Sequence, residues 1–187
     1  TATPSNGSSI ARNAGAMWFL PSEHEWYKAA YHQPAAQGGD ADNYWLYPTR
    51  SNSDPTAATA NAVGDISNPG TNVANYNAQA NWNGQDFGNV TTVGSAGPLS
   101  QSFYGDSDQG GNVFEWTEAN NGGFRNTMGG SHNSPANFLQ SSSRIFVGAF
   151  DGANNNGFRV ATIPETSTLA LTALGALGLL NSARRKR

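Results

Sequence analysis

At 187 residues, with 37% hydrophobic and 12% charged side chains, the chain is long enough for one domain with its own core, and its low charge with five Trp, six Tyr and nine Phe points to a folded, loop-rich domain rather than a disordered chain. The absence of cysteine excludes disulfides, thiolate metal sites and cysteine nucleophiles. The net charge of −3 hides an asymmetry: setting aside Arg184, Arg185, Lys186 and Arg187 together with Glu165 leaves six basic against twelve acidic groups, a body too acidic to favour nucleic acid as a partner.

Residues 1–16 are small and polar and offer little to pack. The chain starts at Thr1 with neither a Met nor a signal segment, which reads as a fragment or a processed form. Met17-Trp18-Phe19-Leu20 predicts a short buried strand stopped by Pro21. Ser22-Glu23-His24-Glu25 matches a capping box with Ser22 as N-cap and Glu25 at N3. Trp26, Ala29 and Ala30 follow at helical spacing, and Pro34 ends the helix.

Residues 35–100 are punctuated by Gly, Pro, Asn and Asp around short aromatic clusters. Trp45-Leu46-Tyr47 and Val90-Thr91-Thr92-Val93 predict short strands. A long irregular stretch inside a compact domain points to function or to bracing by a metal. The next segment, Asp108-Gln109-Gly110-Gly111-Asn112-Val113-Phe114-Glu115-Trp116, packs two carboxylates, a Gly pair, an Asn and two aromatics into nine residues. Carboxylates beside a flexible loop, whose carbonyls can turn inward, suit a hard cation. Val113 to Trp116 predicts a strand that buries Phe114 and Trp116 and leaves Glu115 on the other face. Phe158-Arg159-Val160-Ala161 predicts another strand. No fixed-period repeat is present.

From Pro164 the chain changes character. The run from Thr166 to Ala183 is uncharged, and as a helix its 18 residues would span ~27 Å at ~1.5 Å per residue. Residues 169–180 are apolar on all sides, unlike a surface helix, and the basic end follows directly. A membrane-targeting segment, with the basic end cytoplasmic and the domain outside, is favoured over a core or amphipathic helix.

Four blocks occur in order: residues 19–30 (Phe19-Leu20-Pro21-Ser22-Glu23-His24-Glu25-Trp26 and onward), Gly110 to Thr117, Gly129-Gly130-Ser131, and Gly157-Phe158-Arg159-Val160-Ala161. Together they resemble the formylglycine-generating enzyme family, also called the sulfatase-modifying factor domain, from about Met17 to Ala161. The resemblance implies an irregular α+β fold related to the C-type lectin fold, with little regular secondary structure and bound calcium. It also implies that the domain begins upstream of the first block. The tail resembles a PEP-CTERM sorting signal: Pro164-Glu165-Thr166, an apolar helix and the Arg184–Arg187 cluster. Thr166 departs from the usual Pro. That second resemblance implies export, an exosortase-type sorting enzyme as partner and placement in the cell envelope. The expected organisation is therefore a polar segment (1–16), the domain (17–162) and the sorting tail with its short transmembrane helix (163–187).

By resemblance, one calcium site uses the side chains of Asp108 and Glu115 and the backbone carbonyls of Gly111 and Val113. A second involves Asn75 and Tyr76, with Asp86 nearby. An EF-hand starting at Asp106 fails, because Thr117 falls where a bidentate Glu is needed. The competing reading is that Asp108 and Glu115 cap turns. Calcium is favoured over it, because two acids converging on one loop otherwise repel.

The family's working enzymes hold copper with two cysteines just after the Gly-Gly-Ser motif and use it to oxidise a sulfatase cysteine. Ser134 and Leu139 stand at those positions, and Phe138 stands for a pocket tyrosine. Ser131 and the aromatic Phe114 persist. Serine is a poor ligand for Cu(I) and leucine is none, so copper and formylglycine generation are not expected. His24, His32 and His132 lack zinc-pair spacing and read as surface or hydrogen-bonded residues. Ser131 and Ser134 lack a nucleophile elbow and an assignable base. Arg144 and Arg159 read as structural ties between loops. The leading expectation is an exported, envelope-sorted, calcium-stabilised binding or surface module for polysaccharide or protein. The alternative is an oxidoreductase of the same family with different chemistry.

Overall fold

The computed structural model describes residues 11–149 and 152–162. In chain order come β1 (Trp18–Phe19), α1 (Glu23–Tyr31), β2 (Thr56–Ala57), β3 (Val73–Ala74), β4 (Phe114–Asn121), β5 (Phe124–Met128), β6 (Ile145–Gly148), β7 (Asn156–Phe158) and β8 (Ala161–Thr162), with 3-10 turns at Ala35–Gln37, Pro98–Ser100 and Ala136–Leu139. This is an irregular α+β fold, and most of the chain between α1 and β4 is loop.

Helix α1 forms where its caps require it. Ser22 Oγ accepts from the Glu25 amide at 3.2 Å, and the Glu25 carboxylate accepts from the Ser22 amide at 2.7 Å, so two otherwise orphaned donors are satisfied reciprocally. The helix ends at His32, whose backbone is extended, two residues before Pro34. Its inner face buries Trp26, Ala30 and Tyr31 against Met128 of β5.

The largest sheet runs β6-β5-β4-β7. β6, β5 and β4 are antiparallel neighbours, and β7 pairs parallel to β4, with Glu115 opposite Gly157 and Trp116 opposite Phe158. The register of β4 against β5 shifts between Trp116 and Asn120. β1 pairs antiparallel with β8 and ties the two ends of the domain together. β2 and β3 form a small parallel pair.

The loop region has its own cores. Tyr47, Ala74, Tyr76 and Leu139 form one, and Ala58, Ile66, Val73 and Ala96 another. Asn43, Asn72, Asn77, Asn83 and Asn112 all take positive φ. Asn tolerates the left-handed region better than most residues, which accounts for its abundance in a domain built of tight turns.

Several expectations are corrected. Met17 and Trp18 are 57% and 68% exposed, because β1 lies at the surface. Residues 45–47 form no strand; Tyr44 and Tyr47 make only single bridges, to His32 and Ser51. Residues 90–93 are loop, because the Thr91 amide and carbonyl are taken by the Asn112 side chain at 2.8 and 3.3 Å. The strand predicted at 158–161 is split, with Arg159 and Val160 between β7 and β8. Far from packing little, Arg12 pairs with Glu118 and Glu25. The faces of β4 are inverted: Glu115 is buried at 5% exposure, while Phe114 and Trp116 are only half-buried. Among the described residues no helix is long and apolar enough to cross a membrane, and the tail beginning at Pro164 lies outside them.

Candidate functional site

The loop leading into β4 is held from three sides. The Gly111 amide donates to Gly129 O and the Asn112 amide to Asn75 O, both at 2.8 Å. Gly111 has φ 81°, and a Cβ there would lie 2.1 Å from Asn75 O, so both the turn and the close approach require glycine. The Asn112 side chain is a buried hub: its oxygen accepts from the Thr91 amide at 2.8 Å and from Asn75 Nδ2 at 3.2 Å. His132 Nδ1 donates to Asn112 O at 3.1 Å, which makes this histidine a structural hydrogen-bond donor.

Glu115 and Asp108 face different surroundings. Arg159 donates to both oxygens of Glu115, from Nε at 2.5 Å and from Nη2 at 2.6 Å, and Trp26 Nε1 adds a third bond at 2.6 Å. Arg159 also donates to Ser107 O at 3.0 Å and lies 3.9 Å from Asp106. Burial opposes its charge, but the hydrogen bonds and charge of Glu115, with Asp106 and Asp108, raise its pKa. Asp108, at φ 56°, accepts from the Gly94 amide at 2.7 Å. It forms no direct ion pair among the described residues, and burial pushes its pKa up, with the Glu115 charge adding to the shift.

Whether these residues fit calcium divides by site. The Glu115 carboxylate is already complemented by a guanidinium, so the repulsion between the two acids is offset by Arg159, and Glu115 as placed does not fit as a free ligand. Asp108 lines a cavity of about 10 Å³ with Asp106 and Gln109. Gln109 is 2% exposed, and neither of its amide atoms has a partner. Asn75 donates to Asn89 O, Thr91 Oγ1 and Asn112 Oδ1, yet its buried Oδ1 accepts nothing. An orphaned buried oxygen fits a hard cation's needs. The Tyr76 hydroxyl is committed to Pro55 O at 2.6 Å, and Asp86 is exposed. Among the described residues no three His, Cys, Asp or Glu side chains cluster as a metal-binding group.

The residues read as a pocket remnant come only partly together. Ser131 Oγ lies 2.9 Å from Ser134 Oγ and donates to Asn133 Oδ1 at 2.8 Å. The Ser131 amide donates to Ser134 Oγ at 3.1 Å, and both serines are buried. Phe114 meets Phe138 edge-on at 6.1 Å. Leu139 is fully buried in the core with Tyr47 and Tyr76. The sequence marks no role for Gln109 and places Asn112 only among the oxygen-bearing residues of the cation loop, since nothing in a Gly-rich loop shows which amide turns inward.

The sequence pattern of the sulfatase-modifying factor enzyme 1-like domain matches residues 5–163. The chain belongs to this family. Three solved structures are similar to this family member over 79% of its length. A protein described as CarF is 24% identical with a TM-score of 0.50, and 48% of it is covered. PvdO from Pseudomonas aeruginosa is 19% identical with a TM-score of 0.47, and 53% of it is covered. Treponema denticola variable protein 1 is 20% identical with a TM-score of 0.44, and 48% is covered. The chain thus spans about half the length of these structures, and the likeness to CarF speaks for the fold alone. No curated protein gives a significant match.

Proposed function

We propose that this sulfatase-modifying factor domain is a calcium-braced binding or surface module that does not carry out copper-dependent formylglycine generation. One observation carries the reading. The positions that resemble the family's copper cysteines are Ser134, whose hydroxyl is tied to Ser131, and Leu139, whose side chain is buried among hydrocarbon and rings. Neither offers the soft thiolate that Cu(I) requires. The calcium part is supported by the orphaned Asn75 oxygen and by the half-buried Asp108 carboxylate.

The proposal extends to location. Pro164, Glu165, the apolar run and Arg184, Arg185, Lys186 and Arg187 act as a sorting signal read by an exosortase-type enzyme, which puts the domain outside the inner membrane with polysaccharide or protein as its ligand. Incubating the purified chain with Cu(I), oxygen and a sulfatase-derived cysteine peptide tests the chemistry by mass spectrometry. The expected result is unmodified peptide and stoichiometric bound calcium. Conversion of the cysteine to formylglycine would overturn the reading.

A further inference from the structure

A groove of about 440 Å³ lies apart from the Asp108 cavity and the Ser131 cluster and shares no lining residue with either. Trp18, Phe19 and Trp116 supply its aromatic walls, and Arg12, Glu118 and Arg125 its polar groups. Its volume falls in the range of small-ligand sites, which combine apolar walls with a few fixed polar groups.

The polar groups are held in place before any ligand arrives. Arg12 donates to both Glu118 oxygens at 2.8 and 3.0 Å and to Glu25 at 2.8 Å. Its guanidinium carbon sits 3.4 Å from the centre of the Phe19 ring, a cation–π contact. Arg125 Nη1 donates to Glu118 O at 2.7 Å. The charges compensate: Arg12 and Arg125 stand against Glu118 and the adjoining Glu25. A charged ligand finds no net complement here, whereas a neutral ligand rich in hydroxyls finds both donors and acceptors. Trp18 is 68% exposed, and covering an aromatic residue so exposed is favourable. An extended peptide could not add to β4 as a strand in the groove, because β4 pairs with β5 on one side and with β7 as far as Trp116 on the other, beyond which the Glu118 amide is already taken by Pro21 O at 2.9 Å.

We infer that this groove is a carbohydrate site that takes a neutral pyranose ring, with a C–H face of the sugar stacked on Trp18 and its hydroxyls bonded to the Arg12–Glu118–Arg125 set. The inference rests on the binding-module reading and names the ligand class. It is tested by titrating the intact chain with chitotetraose, cellotetraose and maltotetraose, with tetragalacturonate as an anionic control, and following Trp fluorescence and calorimetric heat. At least one neutral tetrasaccharide should bind, and Trp18→Ala should weaken it at least tenfold while leaving the urea unfolding curve in place. Glu118→Gln should weaken the same sugar, with folding checked by circular dichroism. Sugar binding that survives Trp18→Ala, or a preference for tetragalacturonate, overturns the groove assignment and leaves the module reading standing. No binding of any neutral sugar by the unaltered chain overturns the inference outright, and saturable binding of a defined protein ligand would then separate its failure from that of the module reading.

Discussion

Glu115 on β4 and Arg159 between β7 and β8 form a two-pronged ion pair, at 2.5 and 2.6 Å, across 44 residues of sequence. Trp26 of α1 bonds the same carboxylate, so one acid joins the helix, the sheet and the final strand connection.

Glu115→Gln tests that junction. Glu115 is 5% exposed, and removing its charge leaves Arg159 half-buried without its main counter-charge. Breaking one side of a buried pair costs about 3 kcal/mol or more. The urea midpoint should fall accordingly. Pairing Glu115→Gln with Arg159→Met should recover much of the loss, because no orphaned charge then remains.

The capping box gives a pH-dependent prediction. The Arg12 hydrogen bond, with help from the Ser22 amide and hydroxyl, holds Glu25 down to about 2 from its ordinary 4.5, against the opposing effect of burial. A depressed carboxylate stabilises the fold above its unfolded pKa, and that stability is lost as pH falls from near 4.5 toward 2. Glu25→Gln keeps a residue suited to the box but loses the charge. The wild type should therefore lose its advantage over Glu25→Gln between pH 5 and 2. The difference at neutral pH should be about 0.5 kcal/mol, as expected of an exposed pair. Ser22→Ala should cost about 1 kcal/mol at neutral pH.

Local signals carried the sequence reading, and long-range partners limited it. The capping box at Ser22 and Glu25 is complete within four residues, so α1 was legible together with its end before Pro34. The four blocks were legible for the same reason, and the family match covers them. The polarity of β4 was not. Alternation says only that Glu115 faces away from Phe114 and Trp116, and the partner that makes its burial tolerable lies far along the chain. The segments that became β5 and β6, Phe124–Met128 and Ile145–Gly148, gave no strand signal that reasoning acted on. Phe124-Arg125-Asn126-Thr127-Met128 mixes polar and apolar groups because it packs on both faces. The irregular middle is fixed by Asn side chains bonding backbone from other loops, a pattern with no period.

Asp108→Asn separates the calcium proposal from a purely structural role. Asn tolerates the positive φ of this position and can still accept from the Gly94 amide. Burial raises the Asp108 pKa, so the charged form is penalised in the fold: stability from this group is greatest at low pH and falls as pH rises through the carboxylate range. With metal chelated at pH 7, Asp108→Asn should therefore be as stable as the wild type or more so. With calcium at ~100 times its Kd, the wild type should gain about 2.7 kcal/mol. The variant should gain much less, read as a difference in thermal midpoint. Equal calcium response in the two proteins would remove Asp108 from the site.

Asn112→Ala should be among the most damaging single changes in the domain. The side chain accepts from the Thr91 amide and from Asn75 Nδ2, and donates to Thr91 O at 3.3 Å. Removing it strands the Thr91 amide in the interior, a penalty of ~1–3 kcal/mol for that one group. Alanine must also hold a φ of 63°, a left-handed conformation that Asn adopts at lower cost. Losses from bonds and backbone together should exceed about 3 kcal/mol, read from the urea midpoint. Asn112→Gly isolates the two contributions: it relieves the backbone strain but not the stranded amide, and should recover about 1 kcal/mol relative to Asn112→Ala. Equal stability of the two variants would show that the left-handed turn before β4 carries no strain, and that the hydrogen-bond hub alone fixes the loop.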